Sequence, residues 1–245
     1  FSSYVILSKK AGQGQSMTVF QNKLWGYELT YPDAWFHKTK HETEGFGVTP
    51  ESLEPDDQGP REGQLFVRGE WNGEGRPIKL LWEQHVSKLA LMMGAKNIGS
   101  APWQMGDSSG FEAEIILPKR DEKRLWMGVL SRERILLHFM VTHHKKDKDW
   151  FDPRFTKVIS SLRFIACASE INTDSSGLPL PPDYHPAPPE EVIDDIKKTK
   201  HWNALEGDNS AGAIQAFYFR VLPNYGWEMD EFLPFPSKHT TLNFA

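Results

Sequence analysis

The stretch that decides the fold is residues 24–35, LWGYELTYPDAW. Tyr27, Leu29 and Tyr31 alternate with Glu28 and Thr30, the two-residue period of a half-buried strand. Gly26 opens the strand and Pro32-Asp33 closes it, because proline fixes φ and an aspartate can bond its own backbone. Trp35 follows at once and returns a large ring to the core. Just upstream, residues 17–21 (MTVFQ) read as a second strand, joined through Asn22-Lys23 as a hairpin.

Outward from that hairpin the chain alternates strands and helices. Residues 45–50 read as a short strand. In residues 64–71, Leu65, Val67, Gly69 and Trp71 alternate with Phe66, Arg68 and Glu70. Residues 78–93 give the clearest helix: Ile78, Leu81, Trp82, His85, Val86, Leu89 and Met93 recur at threes and fours. Pro77 suits its start and Gly94 its end. His85 lies on the apolar stripe and reads as a packed histidine. Four strand-like segments follow, at 95–105, 110–117, 124–131 and 134–143. Short polar connections between them predict an antiparallel meander. A second helix is predicted over 150–162, with Pro153 in its first turn, and a terminal strand over 163–166.

The character changes after that. Residues 169–189 end in LPLPPDYHPAPP, whose six prolines favour an extended spacer. The predicted organisation is an N-terminal extension (1–16), a main domain (17–167), a proline-rich linker (168–189) and a small α+β module (190–245). In the module, helices are predicted at 190–200 and 210–222, with Asp208-Asn209-Ser210 as the cap of the second. Residues 227–233 and 240–244 read as paired strands. About 55 residues is marginal for an independent core, so docking on the main domain or elsewhere is expected. The module reads as incomplete at Ala245, with further strands expected beyond it.

Composition narrows the function. With 245 residues, 39% hydrophobic and 12% aromatic, the chain can bury a large core. Its net charge of −5 argues against nucleic acid as a partner, since phosphate neutralisation needs a basic face. One cysteine, Cys167, excludes an internal disulfide and a multi-cysteine metal site. No apolar run reaches the roughly 18 residues of a membrane span. The opening FSSYVILSKK reads equally as a strand at 4–7 or as the end of a hydrophobic tether preceding Phe1.

No residue cluster demands a reaction. HExxH and dinucleotide-binding glycine patterns are absent from the sequence, and the one GxSxG spacing lies between two predicted strands rather than at the strand-to-helix elbow a serine nucleophile needs. Gly106-Asp-Ser-Ser-Gly110 is explained by turn chemistry. His37 and His41 are four apart, but not on a convincing helix. The acidic loop 51–63, with Asp56 and Asp57, lacks the spacing of a calcium loop. His143, His144, Lys145 and Lys146 open a polar basic run that reads as a solvated loop or an anion or partner contact. No catalytic residue, metal ligand or cofactor is assigned.

A strand GYxLxYPxxW (Gly26, Tyr27, Leu29, Tyr31, Pro32, Trp35), one amphipathic helix, a four-strand meander and a last helix ending SSLRF (Ser160 to Phe164) together resemble the PsbP-like fold. That family includes an extrinsic photosystem II protein, bacterial exported lipoproteins and a nuclear-import factor that binds the Ran GTPase. The tail resembles a module that follows such domains in some bacterial surface proteins. The match lies in Leu178, Pro179, Pro181, Pro182 and Tyr184, then Ala216-Phe217-Tyr218, Leu222-Pro223 and Gly226-Trp227-Glu228. The resemblance implies an α+β fold, an antiparallel sheet flanked by helices in an α/β/α sandwich. It also implies a non-enzymatic accessory protein that binds protein partners in a larger complex, membrane-associated and extracytoplasmic, of a photosynthetic or electron-transfer kind. The interaction residues this reading nominates are His143, His144, Lys145, Lys146, Asp56, Asp57 and Tyr184. The alternatives are a cytosolic GTPase-binding regulator and a small-molecule- or metal-binding protein.

Overall fold

A computed structural model describes residues 16–53, 63–116, 123–165, 171–174, 177–186, 205–226, 229–231 and 243–244. The deciding stretch is a strand, β2 (Tyr27–Pro32), paired antiparallel with β1 (Met17–Asn22). The turn before it closes on Gly26, whose φ of +69° is accessible to glycine at little strain and whose N–H donates to the Asn22 carbonyl at 2.8 Å. Tyr27 and Leu29 are buried, as their alternation requires.

The main sheet has seven strands. These are β3 (Phe36–Lys40), β4 (Thr43–Gly47), β5 (Gln64–Trp71), β6 (Lys96–Met105), β7 (Ser108–Ile116), β8 (Lys123–Arg132) and β9 (Ile135–His144). Their order is β3-β4-β5-β9-β8-β7-β6, antiparallel throughout. Helix α1 (Ile78–Met93) carries the chain from β5 to the far edge. The meander then folds back strand by strand until β9 lies beside β5. Gly94, at φ +63°, ends α1 by donating to the Ala90 carbonyl. The edge strand β6 carries Pro102 and a bulge between Ile98 and Ala101, both of which discourage pairing with another chain.

Strand alternation divides the sheet into two cores. Met127, Val129 and Leu136 face α1 and pack with Trp82 and Ala113. Leu65, Val67, Leu137, Phe139 and Val141 point the other way. That second face is covered by a three-stranded sheet, β1-β2-β10 (β10, Arg163–Phe164), and by helices α2 (Lys148–Ser160) and α3 (Ala211–Val221). The result is the expected α+β arrangement, an antiparallel sheet flanked by helices.

The tail helix α3 belongs to the same core. Ala213, Ile214, Ala216, Phe217, Tyr218 and Val221 are buried in one cluster with Leu24, Trp25 and Leu29. The Ser210 hydroxyl caps α3 by accepting from the Ala213 N–H at 3.3 Å. Ser210 itself donates to the Glu42 carboxylate, which stands in the β3–β4 turn. Of the linker, Leu178 also lies in this core. Short strands pair His185–Pro186 with Leu205–Glu206, and Met229–Glu231 with Asn243–Phe244. The strand expected at 4–7, Cys167, the helix expected at 190–200, and Asp56 and Asp57 of the acidic loop lie outside the described residues, whereas the loop's first residues form a 3-10 turn, Pro50–Leu53, with Ser52 and Leu53 buried.

Candidate interaction surface

The run nominated by its charges sits where β9 meets α2. Strand β9 extends through His144, so its inward period continues from Leu137, Phe139 and Val141 to His143. His143 is 1% exposed, which corrects its reading as a solvated contact residue. Its ring stacks on Phe151 (5.4 Å, 17°), and Phe151 stacks on Phe155 (5.6 Å, 12°). His143 Nδ1 lies 2.8 Å from the His144 carbonyl and Nε2 lies 2.7 Å from Asp152 Oδ1. Both nitrogens therefore face oxygen partners. Asp152 also pairs with Arg124, which faces Glu114 at 3.4 Å. This polar chain ties β7 and β8 to β9 and α2, running from buried His143 to Glu114 at its exposed end.

Above it the side chains turn outward. Lys145, Lys146 and Lys148 are exposed, and His144 is half-buried. Trp150 is 42% exposed although three contacts hold it. The Arg154 guanidinium lies 4.0 Å from the Trp150 ring centre. Arg154 also donates to the Trp150 carbonyl at 2.7 Å. The edge of Phe151 meets the indole at 4.6 Å and 77°. Exposed Asp149 and half-buried Asp147 interleave with the lysines. An exposed indole already fixed in place loses little freedom on binding, and that economy marks interface anchors. The helix begins at Lys148 rather than 150, so Pro153 lies beyond its first turn, contrary to the sequence expectation.

Tyr184 stands with the tail. Its ring covers Gly207, where a Cβ would come within 2.4 Å, and its hydroxyl donates to the Asn209 carbonyl at 3.2 Å. The structure thus places His143, His144, Lys145 and Lys146 on one junction and Tyr184 on another element.

A second polar cluster escaped the sequence reading. Glu44 is 3% exposed and accepts from Asn22 Nδ2 (2.9 Å), Thr39 Oγ1 (2.6 Å) and His37 Nε2 (2.8 Å). Phe20 and Phe46 flank the His37 ring at 4.4 and 4.9 Å. Burial, reinforced by the Glu44 charge, raises the Tyr27 phenol well above its ordinary value, against the bond from Asn22. His41, four residues from His37, stands in the turn at φ 46°, so the two histidines do not converge. Among the described residues no group of three or more His, Cys, Asp or Glu is placed to hold a metal ion.

No protein-family model matches this chain, and no curated protein matches it. Similar solved structures include the cyanobacterial PsbP of Synechocystis sp. PCC 6803, at 16% identity and a TM-score of 0.47, covering 64% of this chain and 98% of that one. A Pseudomonas aeruginosa protein of unknown function, PA94, described as a putative regulator, matches at 14% and 0.41, covering 59% and 94%. LpqN, involved in cell envelope biogenesis of Mycobacterium tuberculosis, matches at 11% and 0.42, covering 63% and 87%. The PsbP-like arrangement expected from the sequence is thus among the structures found similar; at these identities the likeness concerns the fold.

Proposed function

We propose that the chain is a non-catalytic accessory protein that binds another protein through the ridge at the start of α2. It would serve a membrane-associated complex from the extracytoplasmic side. The observation that carries the reading is Trp150, 42% exposed yet fixed by Arg154 and Phe151. Exposed Lys145, Lys146 and Lys148 beside it supply charge for orienting a partner. The extracytoplasmic placement rests on the sequence resemblance. Among the described residues no helix is long and apolar enough to cross a membrane.

The test compares native chain with Trp150→Ala in chemical cross-linking of source-organism extracts, each adduct quantified. The proposal expects a discrete adduct that the variant forms at least about tenfold less, the scale of a hot-spot truncation. Equal adducts from both chains would count against the ridge.

A second reading, small-molecule binding with weak catalysis, draws on His37. The ring is partly exposed and is oriented by a buried carboxylate, the geometry that prepares a histidine for proton transfer. Turnover in a panel of ester, amide and glycoside substrates that His37→Ala abolishes would favour it over the accessory role.

A further inference from the structure

The side of the sheet away from the ridge carries a second arrangement of titratable groups, under α1. This helix is attached lightly. Among its residues with described side chains only Trp82 is fully buried, its Nε1 donating to Ser100 Oγ at 2.7 Å. Ile78, Leu81, Val86 and Leu89 are partly buried, while Leu80, Leu91 and Met92 are exposed. Between those apolar contacts lies a polar window. Arg68 and Glu70 on β5 and His138 on β9 point toward α1, on the face that Leu136 and Met140 share. The His85 ring of α1 lies over the His138 ring at 5.4 Å between centres. Glu70 Oε2 lies 2.8 Å from His138 Nε2.

We propose that this histidine pair makes α1 an acid-released helix, docked while His85 is neutral and lifted from the sheet when both rings charge. The charged groups around His85 are His138 from β9, Glu70 and Arg68 from β5, and Lys88 from α1 itself. Glu70 is the one negative charge among them and is already committed to His138. A second imidazolium 5.4 Å from the first would therefore meet three cations and one shared carboxylate. Burial holds His85 below its ordinary value, and the His138 charge adds to that; Glu70 opposes it and Lys88 and Arg68 reinforce it. The sign follows from linkage. A histidine depressed in the folded state favours docking above about pH 6.5, and that preference is lost as pH falls toward the folded value. Charging is relieved by moving His85 into water, and among the described side chains of α1 only Trp82 is fully buried to hold it back. Release would bare the Met127, Val129 and Leu136 surface, a regulated apolar patch.

Hydrogen exchange of the full chain at pH 7.5 and 5.5, corrected for intrinsic exchange, tests this. Amides of α1 from Val86 onward are expected to open several-fold more at pH 5.5, within the roughly tenfold ceiling that one group of ordinary pKa about 6.5 sets between these pH values, while those of β8 and β9 stay protected. His85→Gln, which cannot charge, should remove the increase; His138→Gln should reduce it. Equal corrected exchange of α1 at both pH values would overturn the proposal. So would an increase that persists undiminished in His85→Gln, or one shared by the whole sheet. If His85→Gln does not fold, the native chain and His138→Gln decide.

Discussion

The Trp25 indole lies flat where a side chain of Gly69 would stand: a Cβ at residue 69 would come within 1.9 Å of the ring. The turn of the β1–β2 hairpin can seat on the main sheet because β5 offers bare backbone at that point. Gly69→Ala should therefore destabilise by about 1–3 kcal/mol through overpacking, whereas Gly99→Ala, with open space around it, should show backbone strain alone. Urea denaturation of both variants checks the contrast. Equal losses would show that Trp25 is free to move.

The tail helix shares the main core, and Phe217 is fully buried in it. Phe217→Ala should cost about 3–5 kcal/mol and shift a single cooperative transition. Two separate transitions, with the loss confined to the smaller, would instead indicate a tail that folds by itself.

Glu44 is buried among three donors. Replacing it with Ala strands those donors without a carboxylate and should cost on the order of 3–5 kcal/mol, as for one partner removed from a buried pair. Glu44→Gln keeps the shape and one of the two acceptor oxygens, so it should cost less than the alanine. Thermal melts rank the two, and the opposite order would contradict the assigned contacts.

Alkaline stability should report two buried phenols. Burial raises both Tyr27 and Tyr218, with Glu44 adding at the first and Asp174 and Tyr184 at the second. A raised folded value gives stability that is complete below the unfolded value near pH 10 and falls as pH climbs beyond it. Tyr27→Phe and Tyr218→Phe should each flatten the loss of Tm between about pH 9.5 and 11. An unchanged alkaline limb would mean that the rings ionise as readily in the folded chain as out of it.

Much of this architecture is legible in the residues, and the failures have physical causes. Strand β5 and helix α1 fall where their periods place them, because β5 commits one face to the core and α1 carries an apolar stripe that packs on the sheet around Trp82. Strand β3, FHKTK, shows no such commitment, because it is an edge strand with polar side chains on both faces. Glu44 is hidden in the unpatterned TEGFG, and only its partners Asn22, His37 and Thr39, which the strand pairing brings together, explain its burial. His143 was findable. Continuing the alternation of Leu137, Phe139 and Val141 by one step turns it inward, but its charged neighbours obscure that step. The ridge itself was half-legible: the lysines are in the sequence as a run, while the fixing of Trp150 by Arg154 depends on a helix that starts two residues earlier than its pattern predicts.

The central claim is that this chain works by contact at the start of α2. Site-specific photo-cross-linking tests it most directly, with a photoreactive side chain placed at Lys146 on the ridge or at Leu91, an exposed apolar position on α1. In the native setting at neutral pH, position 146 should yield one discrete protein adduct, weakened by Trp150→Ala, and position 91 should yield none. Adducts of equal strength from both positions, or from neither, would contradict the account.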